Sequence, residues 1–252
     1  MIILNYIHKF KGIISMLFLI NKMNKYYIIV AIILLSSCSI QKKYQDHKYE
    51  FEEEIQQLEL KKDYADKSEY LLFIGSSSIR LWSSVSEDIE TYKSVMRGYG
   101  GAHYYDLIHF IDRLTKNHRK AKAVVLFVAN DITGNKDDQK LELKPKEVKK
   151  LFVAVYKRIR KQLGNDIPIF KIETTPTIKR WKVWPEISKA NDLIKAYTEN
   201  RKNVYFISTR DYYLNDNGEP IKEYFVEDQL HLNIKGYKLW GEIIKKEIEK
   251  IR

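Results

Sequence analysis

Of the six histidines in the chain, only His109 and His231 have an acid three residues before them. Asp106/His109 lies inside a helical pattern, where that spacing reads as a solvated pair on one helix face. Asp228/His231 stands instead at an element boundary, just before the last helical segment. Three residues apart on a helical turn, a carboxylate can hold an imidazole Nδ1–H and leave Nε2 free as a base. Such a base needs a nucleophile, and Gly75-Ser76-Ser77-Ser78 puts three hydroxyls directly after an apolar run. That loop also has a plainer reading, because strand-to-helix turns favour Gly for its backbone freedom and Ser as a cap. Acyl chemistry further needs donors for a tetrahedral oxyanion: a closely approachable backbone N–H and often a side-chain amide. Gly101 offers the first and Asn130 the second, with a turn and a helix cap as their plainer roles. The order Ser, Asp, His also occurs in α/β-hydrolases, but Ile79 stands where Gly-x-Ser-x-Gly needs its second Gly. No HExxH or His/Cys cluster supplies a metal site, and a single Cys excludes a disulfide framework within the chain.

The elements that must position these residues alternate in type. Tyr49–Lys62 reads as an amphipathic helix, with Phe51, Ile55, Leu58 and Leu60 among acids and lysines. Tyr70–Gly75 (YLLFIG) is continuously apolar, as a strand buried on both faces should be. Ser94–Met96, Ala123–Ala129, Ile167–Ile172 and Val204–Ile207 are the further strand candidates. Between and after them, Lys144–Leu163, Pro185–Tyr197 and Ile234–Ile251 carry apolar residues at helical spacing, the first with Pro145 in its first turn and Gly164 just past its end. Alternation of this kind predicts one α/β domain with a parallel sheet and helices on both faces. In such a sheet ligands bind beyond the carboxyl ends of the strands. Ser77, Gly101 and Asn130 all follow strand candidates.

Composition narrows the partners. Hydrophobic residues at 44% make a packed core feasible, and 44 Lys+Arg against 33 Asp+Glu give a net charge of +11. The lysines are dispersed, and no zinc-finger, RNP or basic-zipper pattern accompanies them, so nucleic acid is not an expected partner. Two apolar runs, Gly12–Ile20 and Tyr26–Leu35, open the chain, and both are far shorter than the ~20 residues of a membrane span. The second follows Asn24-Lys25 and ends in Leu35-Ser36-Ser37-Cys38, the pattern of a secretory signal. Those last four residues resemble a bacterial lipobox. Residues 1–37 are therefore expected to be a signal peptide, with 1–22 an over-long gene start if translation begins at Met23. Residues 38–48 form a lipidated Cys38 and tether, and 49–252 the folded domain. The expected location is the bacterial cell envelope, lipid-anchored; Ser39 favours the outer membrane.

The motifs together resemble the SGNH (GDSL-type) hydrolase family over roughly residues 49–251. FIGSSSIRLW is similar to its first block, RGYGG to its second, Ala129-Asn130-Asp131 to its third and DQLHLNIKGYKLW to its last. KIETTPTIKRWKVW resembles the stretch between third and last blocks in bacterial members with the GSSS variant. The resemblance implies a three-layer α/β/α sandwich, with a flavodoxin-like five-stranded parallel sheet. It implies a serine esterase in which Ser77, Asp228 and His231 are catalytic and Ser77, Gly101 and Asn130 form the oxyanion hole. No cofactor or metal is implied. Substrates would be esters of small molecules, glycans or lipids: acetylated carbohydrate, short-chain acyl ester or lysophospholipid. Tyr99, His103, Trp181 and Trp184 are candidates for a pocket wall. The sequence departs from the family at Ser76, which replaces Asp, at Met96 where Asn is frequent, and at Ala129. Two other readings keep the same fold: a non-catalytic glycan-binding lipoprotein, and an O-acyltransferase using the same triad.

Overall fold

The computed structural model describes residues 50–64, 69–135 and 142–251. The expected signal at 1–37, Cys38 and the tether to residue 48 lie outside the described residues. Five strands, β1 (Tyr70–Gly75), β2 (Ser94–Gly98), β3 (Ala121–Phe127), β4 (Ile169–Ile172) and β5 (Val204–Ile207), form one parallel sheet in the order β2-β1-β3-β4-β5. This is the flavodoxin-like order, and it reverses direction between β1 and β3. All six residues of β1 are buried, which is why that strand reads as an unbroken apolar run.

The helices are α1 (Glu52–Leu60), α2 (Ser77–Arg80), α3 (Val85–Asp88), α4 (Tyr104–Thr115), α5 (Pro145–Leu163), α6 (Trp184–Glu199), α7 (Arg210–Tyr213) and α8 (Ile234–Glu249). Right-handed crossovers send α2 and α3, after β1, to one face, and α4, α5 and α6 to the other. On the first face, Leu71 and Phe73 of β1 and Val125 and Phe127 of β3 meet Trp82, Trp240, Ile243 and Ile244. Trp82 stacks on Tyr237 (5.6 Å, 12°) and takes the edge of Phe73, while its Nε1 donates to Asp88 at 2.6 Å. That cluster fixes α8 against α2. Tyr237 completes the link by donating from its hydroxyl to Ser78 O at 2.9 Å.

Four local expectations change. β3 ends at Phe127, not Ala129, because the next two carbonyls leave the ladder for side chains: Val128 O accepts from Thr174 Oγ1 (3.2 Å) and Ala129 O from Arg180 (2.5 Å). β4 starts at Ile169, after Pro168, which has no N–H to donate. β2 runs on to Gly98, paired with Gly75. Asp106 is not a solvated partner of His109. It is fully buried and caps α4, accepting from the His103 N–H at 2.9 Å and from the Tyr99 hydroxyl. The first and last helices begin and end within a few residues of expectation, although Leu60 of α1 is largely exposed rather than packed.

Candidate active site

The first requirement of the site is a sharp exit from β1. Gly75 has φ +156°, and a Cβ built on it would lie 1.7 Å from Phe127 O, so no side chain fits there. The Ser76 N–H donates to that same carbonyl at 2.9 Å, which turns the chain at the carboxyl edge of the sheet. Ser76 is buried at the N-cap of α2, and Ser77 is the first helical residue, half-buried at the edge. As the opening residue of a helix, Ser77 keeps a backbone N–H with no intrahelical acceptor.

Ser77 Oγ lies 2.8 Å from His231 Nε2, and His231 Nδ1 lies 2.5 Å from Asp228 Oδ2. Because Asp228 is ionised, Nδ1 carries the proton and Nε2 faces the serine as an acceptor. The spacing of three does not come from a helical turn. Asp228 Oδ1 accepts from the N–H groups of Leu230 (2.8 Å) and His231 (2.9 Å), an Asx-type turn with Gln229 at φ +59°. Partial burial alone would raise the Asp228 carboxyl. The His231 ring and the two backbone N–H groups outweigh it and hold the carboxyl below the usual carboxylate range.

Asn130 follows β3 and shares with Ser77 and His231 the lining of a cavity of about 20 Å³. Its Nδ2 donates to Ala102 O at 3.1 Å, and its Oδ1 accepts from an Arg180 Nη at 2.6 Å. Next to it, Asp131 is buried and caps α4 through the Tyr104 N–H (2.8 Å); burial pushes its carboxyl up to about 6. Gly101, at φ +70°, is not in the lining of that cavity but shares with Asn130 the lining of a second, wider cleft of about 860 Å³. His103 lines that cleft too. Tyr99 does not: it is fully buried against Phe51 and Phe110. Trp181 and Trp184 stack on each other at 6.1 Å and line neither cavity. Sequence reasoning missed Arg180, which lines both cavities. Only the fold brings it to Asn130 from 50 positions away. Among the described residues, no group of three or more His, Cys, Asp or Glu is arranged to hold a metal ion.

A serine hydroxyl on a carboxylate-held imidazole, with a carboxamide lining the same cavity at the switch point of a five-stranded parallel sheet, is an arrangement of the SGNH hydrolase fold. The chain belongs to the GDSL-like lipase/acylhydrolase family, whose model matches residues 79–239, well over half of the sequence. It is accordingly a hydrolase acting on esters. The match begins two residues after Ser77. No curated protein matches significantly. Among solved structures, a Streptococcus pneumonia protein provisionally named a platelet activating factor is similar at 20% identity and TM-score 0.66, covering 87% of this chain and 99% of its own. A GDSL-like lipase from Bacteroides thetaiotaomicron is similar at 17% identity and TM-score 0.58, with 81% and 98% covered. A carbohydrate esterase family 3 protein from Talaromyces cellulolyticus is similar at 14% identity and TM-score 0.55, with 72% and 97% covered.

Proposed function

We propose that the protein is a serine esterase that removes short acyl groups from polar, saccharide-like alcohols through an acyl-enzyme on Ser77. The observation that carries the mechanism is the unbroken chain Asp228–His231–Ser77, at 2.5 and 2.8 Å. Ser77 Oγ attacks the ester carbonyl as His231 Nε2 takes its proton, and Asp228 holds the resulting imidazolium. The backbone N–H groups of Ser77 and Gly101 and the Asn130 amide receive the oxyanion. His231 returns the proton to the leaving alcohol. It then activates water, which releases the acid and frees Ser77.

Two features support the substrate class. The cavity shared by Ser77, Asn130 and His231 has room for about one water-sized group, which suits an acetyl methyl better than a long acyl chain. The wide cleft beyond Asn130 is rimmed by Glu54, Arg80, His103, Glu142 and Lys179, groups that hydrogen-bond hydroxyls and repel alkyl chains. The Talaromyces neighbour is a carbohydrate esterase, which accords with this reading.

A serine-directed fluorophosphonate tests the chemistry. It should modify the purified protein at Ser77 and leave Ser77→Ala unlabelled; label on another serine in folded protein would overturn the assignment. Hydrolysis of acetyl esters should exceed that of octanoyl esters and of lysophosphatidylcholine, and the reverse order would return the lysophospholipid reading. Product analysis with added acceptor sugars separates hydrolysis from acyl transfer. Attachment to the envelope through Cys38 rests on the Leu35-Ser36-Ser37-Cys38 sequence. Labelled palmitate should enter the wild-type chain in its bacterial host and not Cys38→Ser; equal incorporation would remove the anchor.

A further inference from the structure

We infer that Arg180 is a positioning residue for the oxyanion hole: it fixes the orientation of the Asn130 carboxamide and strengthens its N–H as a donor. The inference rests on the oxyanion role proposed above for Asn130.

An amide side chain can sit in its socket either way round, and only the hydrogen-bond partners decide which atom faces where. Here they decide without ambiguity. A guanidinium has donors and no acceptor, so the Asn130 atom 2.6 Å from the Arg180 Nη must be Oδ1. Ala102 O is an acceptor, so the atom 3.1 Å from it must be Nδ2. Nδ2 carries two protons. One is committed to Ala102 O, and the other remains for a ligand in the cavity that Asn130 shares with Ser77 and His231. Without Arg180 the amide could rotate and present its oxygen to the oxyanion, which would repel it.

The arginine is itself held in place. Its other Nη donates to Ala129 O at 2.5 Å, so one planar fork spans two successive residues, Ala129 and Asn130. It is only 8% exposed, at the wall of the cavity that Asn130 shares with Ser77 and His231. Burial pushes its guanidinium down to about 10, against the pull of Glu142 and Asp131, and it remains a cation at neutral pH. A cation on the carbonyl end of an amide draws electron density toward oxygen and leaves the N–H more acidic, hence a stronger donor. The loop that carries Arg180 is tied to the catalytic turn as well, since the Lys179 N–H donates to Gln229 O at 3.0 Å. One loop after β4 therefore braces both the oxyanion side and the base side of Ser77.

The test is a double-mutant cycle on the full-length protein, read as kcat and KM on an aryl acetate. Asn130→Ala should lower kcat by about 10²–10³-fold, as loss of one oxyanion donor does. Arg180→Gln should lower kcat by about 10- to 100-fold, with KM nearly unchanged. Arg180→Lys keeps the charge but not the planar fork, and should fall between wild type and Arg180→Gln. The Asn130→Ala/Arg180→Gln pair should be no slower than Asn130→Ala alone, because an arginine that acts through Asn130 has nothing left to position. Losses that multiply in the double variant would show a general structural role and overturn the inference, as would an Arg180→Gln enzyme at wild-type kcat. If Arg180→Gln does not fold, as judged by its thermal midpoint, the Arg180→Lys cycle decides by the same comparison. Full turnover by Asn130→Ala, with Ser77→Ala inactive, would overturn this inference and leave the esterase intact. Failure of the wild type to cleave any ester would overturn both.

Discussion

Ser76, Ser77 and Ser78 are chemically identical, and the turn after β1 gives each a different environment. The Ser76 N–H is bonded to Phe127 O, and its buried Oγ has no hydrogen-bond partner among the described residues. Ser77 faces His231. Ser78 sits one step into α2, with its carbonyl held by Tyr237. Removing an unsatisfied buried hydroxyl relieves a desolvation cost of about 1–3 kcal/mol and opens only a small void. Ser76→Ala should therefore keep its thermal midpoint or raise it, with ester turnover close to wild type. A fall of several degrees would mean that Oγ holds a structural bond. Ser77, Asp228, His231, Gly101 and Asn130 stand out in the sequence because each is a reactive or permissive residue at the boundary of a periodic segment, and the fold brings Ser77, His231 and Asn130 to one cavity. Arg180 carried no such mark. Its importance comes from a bond across 50 residues, and an arginine in a basic chain looks like any other.

At the scale of elements, the site depends on how closely the ends of β1 and β3 approach. Ser77 leaves one strand and Asn130 follows the other, and Gly75 lets the two backbones meet. An alanine methyl at position 75 would sit 1.7 Å from Phe127 O and 2.7 Å from its carbonyl carbon, against backbone that cannot swing aside. The φ of +156° would be strained for alanine even with space available. Gly75→Ala should cost more than about 4 kcal/mol in urea unfolding, or leave no folded protein. A variant within about 1 kcal/mol of wild type would show that the strand ends can part freely. Strand identity was legible here because buried parallel strands are apolar throughout, and α5 because Pro145 and Gly164 mark its ends. The end of β3 was not legible. Val128 and Ala129 are as apolar as the strand before them, and only the side chains of Thr174 and Arg180 draw their carbonyls out of the sheet. Lys171 lies within the apolar run of β4 in the same way, fully buried with its Nζ donating to Ile172 O.

Across the whole molecule, the candidate site lies at the carboxyl ends of the strands, while a buried titratable group, His118, lies at their amino ends. His118 precedes β3 and is 4% exposed, with Nδ1 2.9 Å from the Tyr70 hydroxyl and the Tyr64 ring against it at 4.6 Å. Burial pushes its imidazole down to about 4; the Arg97 charge adds to this and the Asp63 carboxylate opposes it. An unfolded chain restores a histidine to about 6.5, so between these values the unfolded state binds more protons than the native one. The stability that His118 supplies as a neutral ring is present above about pH 6.5 and is lost as the pH falls toward 4. Asp131 acts oppositely in the same window. Its carboxyl, raised from about 3.9 toward 6 by burial, makes the native state the better proton binder, so acidification favours folding. In the wild type the two effects offset each other, and their balance is exposed by removing one. His118→Gln should be less stable than wild type at pH 7, where it loses the packed ring. The deficit should shrink, or reverse, at pH 5, where the wild type must keep an imidazole uncharged and the variant is spared that cost, while Asp131 and the other titrating groups act alike in both proteins. Thermal midpoints of both proteins at pH 7 and 5 check this directly, with ester turnover at pH 7 as the control for an intact site. A gap between the two midpoints that is the same at both pH values would show that His118 does not titrate as a buried group.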